Sequence, residues 1–325
     1  MLNRRQALGA AIGAITAGSV ARARAATIDK MVHIIVGFPA GGGTDIVARV
    51  LAQALGAYAA NIIVEDKAGA GARLAVEYVK NSTPDGSVML FTPDFPLTLY
   101  PSSFKSLKYD PVNDFIDVAA AARGLLTFSA GPAVPDSVKT LAEFVTWAKT
   151  NPATANVADT SAGGTPHFTT VMLAREAGVT LTPVHYRGGA PAMEDLIGGH
   201  VPASVNPVSE VIAFAKAGKI RPLAVTGAKR SPFLSNVPTM KEQGFDVVVE
   251  SYSGLFLPAK TPDPIVAALS EAVRKATASK QMSGELAKFG TEPAYLSTAD
   301  FTAWIKSEIG RWGPVVKASG FVATD

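Results

Sequence analysis

The sequence predicts an α/β fold with two domains. The chain has 325 residues, 48% of them apolar, which is too long for one small domain and enough to bury a sizeable core. From residue 26 onward, strand-like and helix-like segments alternate, as in βαβ units. The alternation breaks near residues 118–130 and then starts afresh. We therefore expect a discontinuous first domain of residues 26–122 plus 228–325 and a second domain of residues 123–227. Two chain crossings would form a hinge beside a central ligand cleft.

Residues 1–25 have the pattern of an export signal. Arg4 and Arg5 precede an apolar run from Ala7 to Val20, and Ala23-Arg24-Ala25 matches a small-residue cleavage site. We expect cleavage near Ala25 and export to the periplasm. The arginine pair leaves both the general secretory and the twin-arginine route open. An uncleaved N-terminal anchor is the alternative.

The signal changes the meaning of the chain's charge. Residues 1–25 contain four arginines and no acid, so removing them lowers Lys+Arg from 30 to 26 against 27 Asp+Glu. The basic pI of about 9.0 therefore reflects the signal and gives no support for a nucleic-acid partner. The sequence has no cysteine, which excludes disulfides, thiolate metal sites and cysteine catalysis.

The first domain opens with a βαβαβ pattern. Strands are predicted at Val32 to Val36, Asn61 to Glu65 and Val88 to Phe91. The helices between them are indicated by apolar residues at 3.6-residue spacing over 46–55 and by the run 72–79. Such a pattern predicts a parallel sheet.

A glycine-rich loop joins the first strand to the first helix. Three glycines let the backbone approach a ligand closely, and the N–H groups of the following helix attract an anion. We interpret the loop as a carboxylate cradle made by Phe38, Pro39, Ala40, Gly42, Gly43, Thr44 and Asp45. A dinucleotide loop is a weaker alternative, because Ile46 stands where its third glycine should be. Plain turn glycines are the other alternative.

A similar loop appears in the second domain. A strand at Asn156 to Ala158 leads into a second Gly-Gly-Thr run and a helix, for which Thr165 is the predicted N-cap and Pro166 the first residue. Two helix N-termini, one per domain, would then face one anion, although so short a similarity between the two loop sequences also arises by chance. The residues assigned to this second jaw are Ser161, Ala162, Gly163, Gly164 and Thr165.

The rest of the chain continues the alternation. Strands are predicted at 184–186, 201–205 and 223–226. Because Pro202 lacks an N–H, the middle segment is either an edge strand or not a strand. Residues 228–232 are predicted to return the chain to the first domain, which helices near 264–278 and 298–319 would complete.

Several further polar residues are candidates for the pocket. Thr92 and Asp94 follow the third strand, at the edge where open α/β sheets bind ligands, although a stiff surface loop fits equally well. His167 would either hold its loop or donate to a ligand. Arg123 lies at the first crossing and would pair with a distal carboxylate or remain a solvated hinge charge.

Motifs of catalysis are absent from the sequence. It contains no G-x-S-x-G, H-E-x-x-H or G-x-x-x-x-G-K-[ST] pattern, and its four histidines form no metal-ligand pair. We predict a protein that is not an enzyme and that uses no cofactor and no metal.

In its motifs the chain resembles the solute receptors of tripartite tricarboxylate transporters, the Bug-type periplasmic binding proteins. The resemblance runs along essentially the whole mature chain and rests on Phe38 to Asp45, Val64 to Gly71, Pro84 to Gly86, Tyr109 to Phe115, Ala162 to Thr165, Tyr186 to Ala192, Ala217 to Arg221, Ala228 to Pro232, Val237 to Thr239 and Gly254 to Ala259. It implies a type II periplasmic binding protein fold that closes on a small organic mono- or dicarboxylate. It also implies that the two glycine loops, with Tyr186 nearby, hold the ligand. The implied partners are the membrane subunits of such a transporter, and we expect a monomer.

One residue departs from the family pattern. Where the family commonly carries an Asp, this chain has Asn206, and the lost negative charge predicts tolerance of a second anionic or polar acceptor group on the ligand. Two alternative functions remain: a binding protein that signals to a sensor kinase, and an exported nucleotide-cofactor oxidoreductase, against which Ile46 argues.

Overall fold

The computed structural model describes residues 28–323, so the predicted signal at residues 1–25 lies outside the described residues. Within residues 28–323 the strands are β1 Val32–Val36, β2 Ile62–Asp66, β3 Val88–Pro93, β4 Phe115–Ala130, β5 Asn156–Asp159, β6 Thr182–His185, β7 Ala203–Pro207, β8 Arg221–Val225, β9 Glu250–Pro258 and β10 Glu292–Leu296.

The helices form the layers around these strands. In the same residues they are α1 Gly43–Ala54, α2 Arg73–Lys80, α3 Phe95–Thr98, α4 Tyr100–Ser103, α5 Leu141–Thr150, α6 Thr165–Ala177, α7 Gly189–Ile197, α8 Val208–Lys216, α9 Asp263–Thr277, α10 Lys280–Ala287 and α11 Thr298–Ser319. None of these helices combines the length and apolar character needed to cross a membrane.

The first lobe is built on the sheet β2-β1-β3-β9-β4, with β10 also paired to β4. β1 lies parallel to β2 and β3, as the βαβαβ pattern predicts, whereas β9 runs antiparallel to both β3 and β4. One face packs on α1 and α9 and the other on α2 and the start of α11. The buried strand residues Ile34 and Ile35 point to these opposite faces, because side chains alternate along a strand.

The second lobe is built on the sheet β4-β7-β5-β6, with β8 also paired to β4. β5 is parallel to β6 and β7. α5 and α6 cover one face, and α7 and α8 cover the other. β7 lies between β4 and β5, so its prediction as an edge strand is wrong; Pro202 precedes the strand and costs it no ladder hydrogen bond.

Two segments join the lobes. β4 pairs with β9 over Phe115 to Leu125 and then with β7 from Leu126, so one continuous strand belongs to both sheets. The chain returns between the end of β8 and the start of β9.

Helix α11 also contacts both lobes. Phe301 and Ile305 lie in the core of the first lobe, and Trp312 and Val316 lie in the core formed with β4, α5 and α6. The 22-residue helix therefore braces the two lobes on one side.

Candidate functional site

The first glycine loop connects β1 to α1 and is held by its own residues. Gly41 adopts a φ of +78°, and its N–H donates to the Asp45 carboxylate at 2.7 Å. Asp45 is buried and also pairs with Arg49 Nε at 2.7 Å. Its carboxylate therefore stabilises the loop. α1 begins after Gly42 with no side-chain cap, which leaves its first N–H groups for other partners.

The second loop connects β5 to α6. Gly163 has a φ of +71°, and its N–H donates to Nδ1 of the buried His167 at 3.1 Å. Burial and the nearby His185 lower the pKa of His167 to about 3, so the imidazole is neutral and able to accept. This contact is the loop-holding one of the two roles predicted for His167. The helix begins one residue earlier than predicted: Gly164 is the N-cap and Thr165 the first helical residue, because no Thr165 side-chain cap forms.

Four helices begin at one cavity between these loops. Gly43 and Thr44 start α1, Thr165 and Pro166 start α6, Gly189 and Ala190 start α7, and Ser209 and Glu210 lie in the first turn of α8. The cavity encloses about 970 Å³, including the solvent at its mouth. Each helix N-terminus has unpaired N–H groups and a partial positive charge, so their convergence favours an anion.

The remaining wall is apolar with scattered hydroxyls. The first loop contributes Phe38, Pro39, Ala40 and Gly42 to the lining, and the β4 crossing contributes Leu125 and Leu126. The hydroxyl-bearing residues are Thr44, Thr160, Thr165, Ser209, Ser251, Ser253 and Thr291. Such a lining suits a ligand with a polar end and an apolar body.

Arg123 also lines this cavity, at the point where β4 leaves the first sheet. Its guanidinium lies 3.1 Å from Glu292 of β10, and both side chains are more than a third exposed. The cation is therefore at the cleft and already has an acidic partner.

A second cavity lies beside a contact between the first glycine loop and the loop that joins β6 to α7. At Gly188 of the latter loop, with a φ of +109°, an added Cβ would lie 3.2 Å from Pro39 Cδ, so these two loops approach closely. The second cavity is lined by Ser161, Ala162 and Tyr186, together with Arg73 and Arg187, and measures about 1580 Å³ including the solvent at its mouth. The Ser161 hydroxyl is 2.8 Å from that of Tyr100, and the Tyr186 hydroxyl donates to Asp195 at 2.6 Å.

The family model for the tripartite tricarboxylate transporter family receptor matches residues 47–321. The chain belongs to this receptor family. The receptor is 32% identical over 321 residues to a protein encoded in the gbd 5' region of Cupriavidus necator, covering 96% of each chain. It is 28% identical over 309 residues to BugT of Bordetella pertussis, covering 94% of each chain.

Solved structures have the same fold as the receptor. A Rhodopseudomonas palustris protein with adipate is 30% identical, with a TM-score of 0.84 over 90% of this chain and 98% of that one. The periplasmic binding protein BugD is 28% identical, with a TM-score of 0.83 over the same shares. MatC from Rhodopseudomonas palustris, with bound malate, is 28% identical, with a TM-score of 0.80 over 88% and 98%. The receptor is thus a Bug-type periplasmic binding protein in sequence and in its two-lobed fold.

Thr92 and Asp94, two of the predicted pocket residues, are buried away from both cavities. Thr92 lies inside β3, paired with Gly254, because the strand continues to Pro93 before α3 begins. Asp94 accepts hydrogen bonds from Ser251 Oγ at 2.6 Å and from Trp304 Nε1 at 3.0 Å. The Asp94 carboxylate thus serves as an internal acceptor beneath Ser251, which itself lines the first cavity.

The other predicted site residues that lie outside the two linings are Asp45, Gly163, Gly164, His167 and Asn206. Asp45 and His167 hold their own loops by accepting backbone hydrogen bonds. An added Cβ on Gly164 would lie 3.2 Å from the Phe95 ring, so the second loop packs on the first lobe there. The Asn206 amide donates to Glu210 at 2.9 Å and accepts from Ser204.

Glu210 is the functional candidate that sequence reasoning missed. It is the acidic side chain among the described residues lining the first cavity. It comes from α8, far along the chain from either glycine loop, and no local motif marks it. A signal was nonetheless present: Glu210 follows Asn206, the position that departs from the family pattern, by four residues.

Proposed function

We propose that this receptor is a periplasmic solute-binding protein for a small organic carboxylate, which it captures between its lobes and delivers to the membrane subunits of a tripartite tricarboxylate-type transporter. The observation that carries the proposal is the convergence of four helix N-termini on one cavity between the lobes. The apolar wall suits the ligand body, and backbone N–H groups with threonine hydroxyls suit its carboxylate.

The strength of such contacts is sufficient for micromolar binding of a carboxylate. Hydrogen bonds to a charged group contribute about 1.5–3 kcal/mol each, and a helix N-terminus adds about 0.3–1 kcal/mol. Micromolar affinity requires about −8.2 kcal/mol. A few such contacts, with burial of the ligand body, reach that value after the cost of association. A carboxylate can therefore be held without a dedicated cation.

The ligand would be a mono- or dicarboxylate. Solved relatives at 28–30% identity carry adipate and malate, both dicarboxylic acids. In this chain, Arg123 is placed to exchange its Glu292 partner for a distal ligand carboxylate. The proposal includes export to the periplasm, directed by the signal pattern of residues 1–25, and a mature protein that acts as a monomer.

A binding experiment tests this function. Purified mature protein is screened by thermal shift and then by calorimetry against aliphatic and aromatic mono-, di- and tricarboxylates, because a ligand that binds the folded state raises the melting temperature. At least one acid should bind at micromolar concentration. Absence of binding by every acid would contradict the proposal.

A matched pair of variants locates the site. Thr44→Val removes a hydroxyl from the cavity wall at constant size, and we expect a loss of about tenfold in affinity if that hydroxyl donates to the carboxylate. Thr146→Val removes an exposed hydroxyl on α5 that bonds Ala142 O, and should leave affinity unchanged. Equal affinities for the two variants would place the ligand elsewhere.

A further inference from the structure

The Glu210 carboxylate lies where the cavity is most favourable to an anion. The Asn206 amide donates to this carboxylate at 2.9 Å. The carboxylate also lies next to Gly43, the first residue of α1, whose backbone N–H favours the ionised form. The carboxylate also packs directly on Gly189, the first residue of α7, so closely that any Cβ there would overlap it. Glu210 itself lies in the first turn of α8. Three of the four converging helix N-termini therefore already meet one negative group.

This arrangement joins the two lobes. Gly43 belongs to the first lobe, whereas Asn206, Gly189 and Glu210 belong to the second. The Ser209 hydroxyl approaches Gly43 in the same place, and a Cβ on Gly43 would lie 2.6 Å from it. The contact is thus of the kind that a bridging ligand carboxylate would make, with the chain supplying the carboxylate itself.

Among residues 28–323, the groups around Glu210 do little to neutralise its charge. Arg123 lines the same cavity but is paired with Glu292, and Arg49 of α1 is paired with Asp45 and Asp66. The direct partners of the Glu210 carboxylate are uncharged donors. Burial accordingly raises the pKa of Glu210, which shows that the negative charge is held at a cost.

We propose that Glu210 is a specificity-determining residue that competes with the ligand's carboxylate for the amide donors of the cradle. The inference rests on the proposed function, since it concerns the same cavity. A ligand carboxylate binding beside Glu210 meets a like charge and finds a carboxylate already next to the Gly43 N–H. Wild-type affinity for a simple acid is therefore lower than the four helix N-termini alone would give. Acids that make enough other contacts overcome the competition, and weakly bound acids are excluded.

The test uses Glu210→Gln, which keeps the size of the side chain and removes its charge, and Glu210→Ala, which also vacates the space. Calorimetry with adipate, succinate and benzoate is run on the mature wild-type protein and both variants. Two like charges a few ångströms apart repel appreciably even under the screening found near protein surfaces. We expect both variants to bind at least one of these acids about tenfold or more tightly than the wild type.

The matched control is Glu194→Gln, an exposed acid on α7 outside both cavities. It should leave affinity unchanged, since its charge is solvated. A rise in affinity in Glu194→Gln equal to that in Glu210→Gln would reduce the effect to net charge and overturn the proposal.

The outcomes separate this inference from the proposed function. Unchanged or weaker binding in both Glu210 variants, with measurable wild-type binding, overturns the role of Glu210 and leaves the carboxylate receptor intact. Binding of none of a broad carboxylate panel by wild type or variants overturns the proposed function. A gain in Glu210→Gln that Glu210→Ala does not share would mean that the new amide donates to the ligand, and it would also overturn competition.

Discussion

Asp94 shows how a carboxylate can serve the cleft without touching a ligand. It is 2% exposed, and its two hydrogen-bond donors come from β9 and α11, at Ser251 and Trp304. Burial raises the pKa of Asp94 to about 6, although both hydrogen bonds favour the ionised form. The Asp94 side chain fixes Ser251, which lines the cavity.

The raised pKa predicts a pH-dependent stability. Because the folded pKa of about 6 exceeds the unfolded value of about 3.9, protonated Asp94 favours the folded state below pH of about 4, and this contribution is lost as pH rises through 6. Relative to Asp94→Asn, which carries no charge, the wild type should lose up to about 3 kcal/mol of unfolding free energy between pH of about 4 and 7. Urea unfolding across this range measures it.

Asp29→Asn is the control for that comparison, since Asp29 is exposed near the start of the described chain. Its stability should follow the wild type at every pH. Parallel curves for wild type and Asp94→Asn would show that the Asp94 carboxylate is not held at a raised pKa.

For individual residues, the sequence predicted the loop positions that line the cavity but not the distant residues that contact them. Glycines and a following helix are local signals, so Pro39, Gly42, Gly43 and Thr44 could be assigned to a cradle, and the structure places them along one cavity. Glu210 reaches Gly43 from a distant helix, and nothing near Glu210 in the chain indicates that contact. Thr92 and Asp94 were proposed from the rule for strand ends, but β3 runs past Thr92, and Asp94 is drawn into hydrogen bonds from β9 and α11.

Among the elements, β9 is the one on which the junction of the lobes depends. It lies between β3 and β4 and pairs with β4 over the whole stretch from Phe115 to Leu125. Gly254 stands at its centre, where an added Cβ would lie 2.5 Å from the Ala119 carbonyl oxygen and 2.6 Å from the Phe301 ring. The close packing of β9 on β4 and α11 therefore requires glycine there.

Substitution at Gly254 should be costly. Gly254→Ala inserts a methyl group against backbone that cannot rotate away, and we expect a loss of about 1–3 kcal/mol in unfolding free energy, measured by urea denaturation. Gly124→Ala on the neighbouring β4 is a matched control, because an added Cβ there meets no atom within 4 Å. Comparable stabilities for the two variants would show that the packing at Gly254 relaxes easily.

Elements with a strong local pattern were predicted from the sequence and those defined by pairing were not. β1 agrees with its predicted bounds, and α1, α2 and α9 agree within a few residues, because buried apolar residues recur at the spacing of each element. β9 and β10 were not predicted. β10 is five residues with an internal proline, and its identity comes from antiparallel pairing with β4 across 169 residues of chain at Arg123 and Glu292. The short helices α3 and α4 were not predicted; Pro96 and Pro101 favour their first turns.

In the whole molecule, ligand binding should favour the closed arrangement of the lobes. Pro39 of the first glycine loop meets Gly188, which lies between β6 and α7 of the other lobe, and the cavity is bounded by residues of both lobes. Its donors therefore converge only when the lobes are together. A ligand that contacts both sides shifts the population toward that state by its differential affinity.

This shift predicts a smaller radius of gyration in X-ray scattering when a binding carboxylate is saturating. The control is the neutral diamide of the same carbon skeleton, which lacks the charge that helix N-termini attract and should leave the scattering unchanged. An unaltered radius of gyration in the presence of a confirmed ligand would mean that the lobes do not move.

The brace formed by α11 gives the molecule its own optical reporter. Trp312 is one of three tryptophans; its indole is buried, donates to Glu308 at 2.8 Å, and lies 6.3 Å between ring centroids from Phe168. Phe168 is one helical turn from Thr165, which lines the cavity. A rotation of one lobe against the other would therefore alter the polarity around this indole, so the emission spectrum of the unlabelled protein registers occupancy of the cleft in real time. Association and dissociation rates then become measurable by stopped flow without a dye.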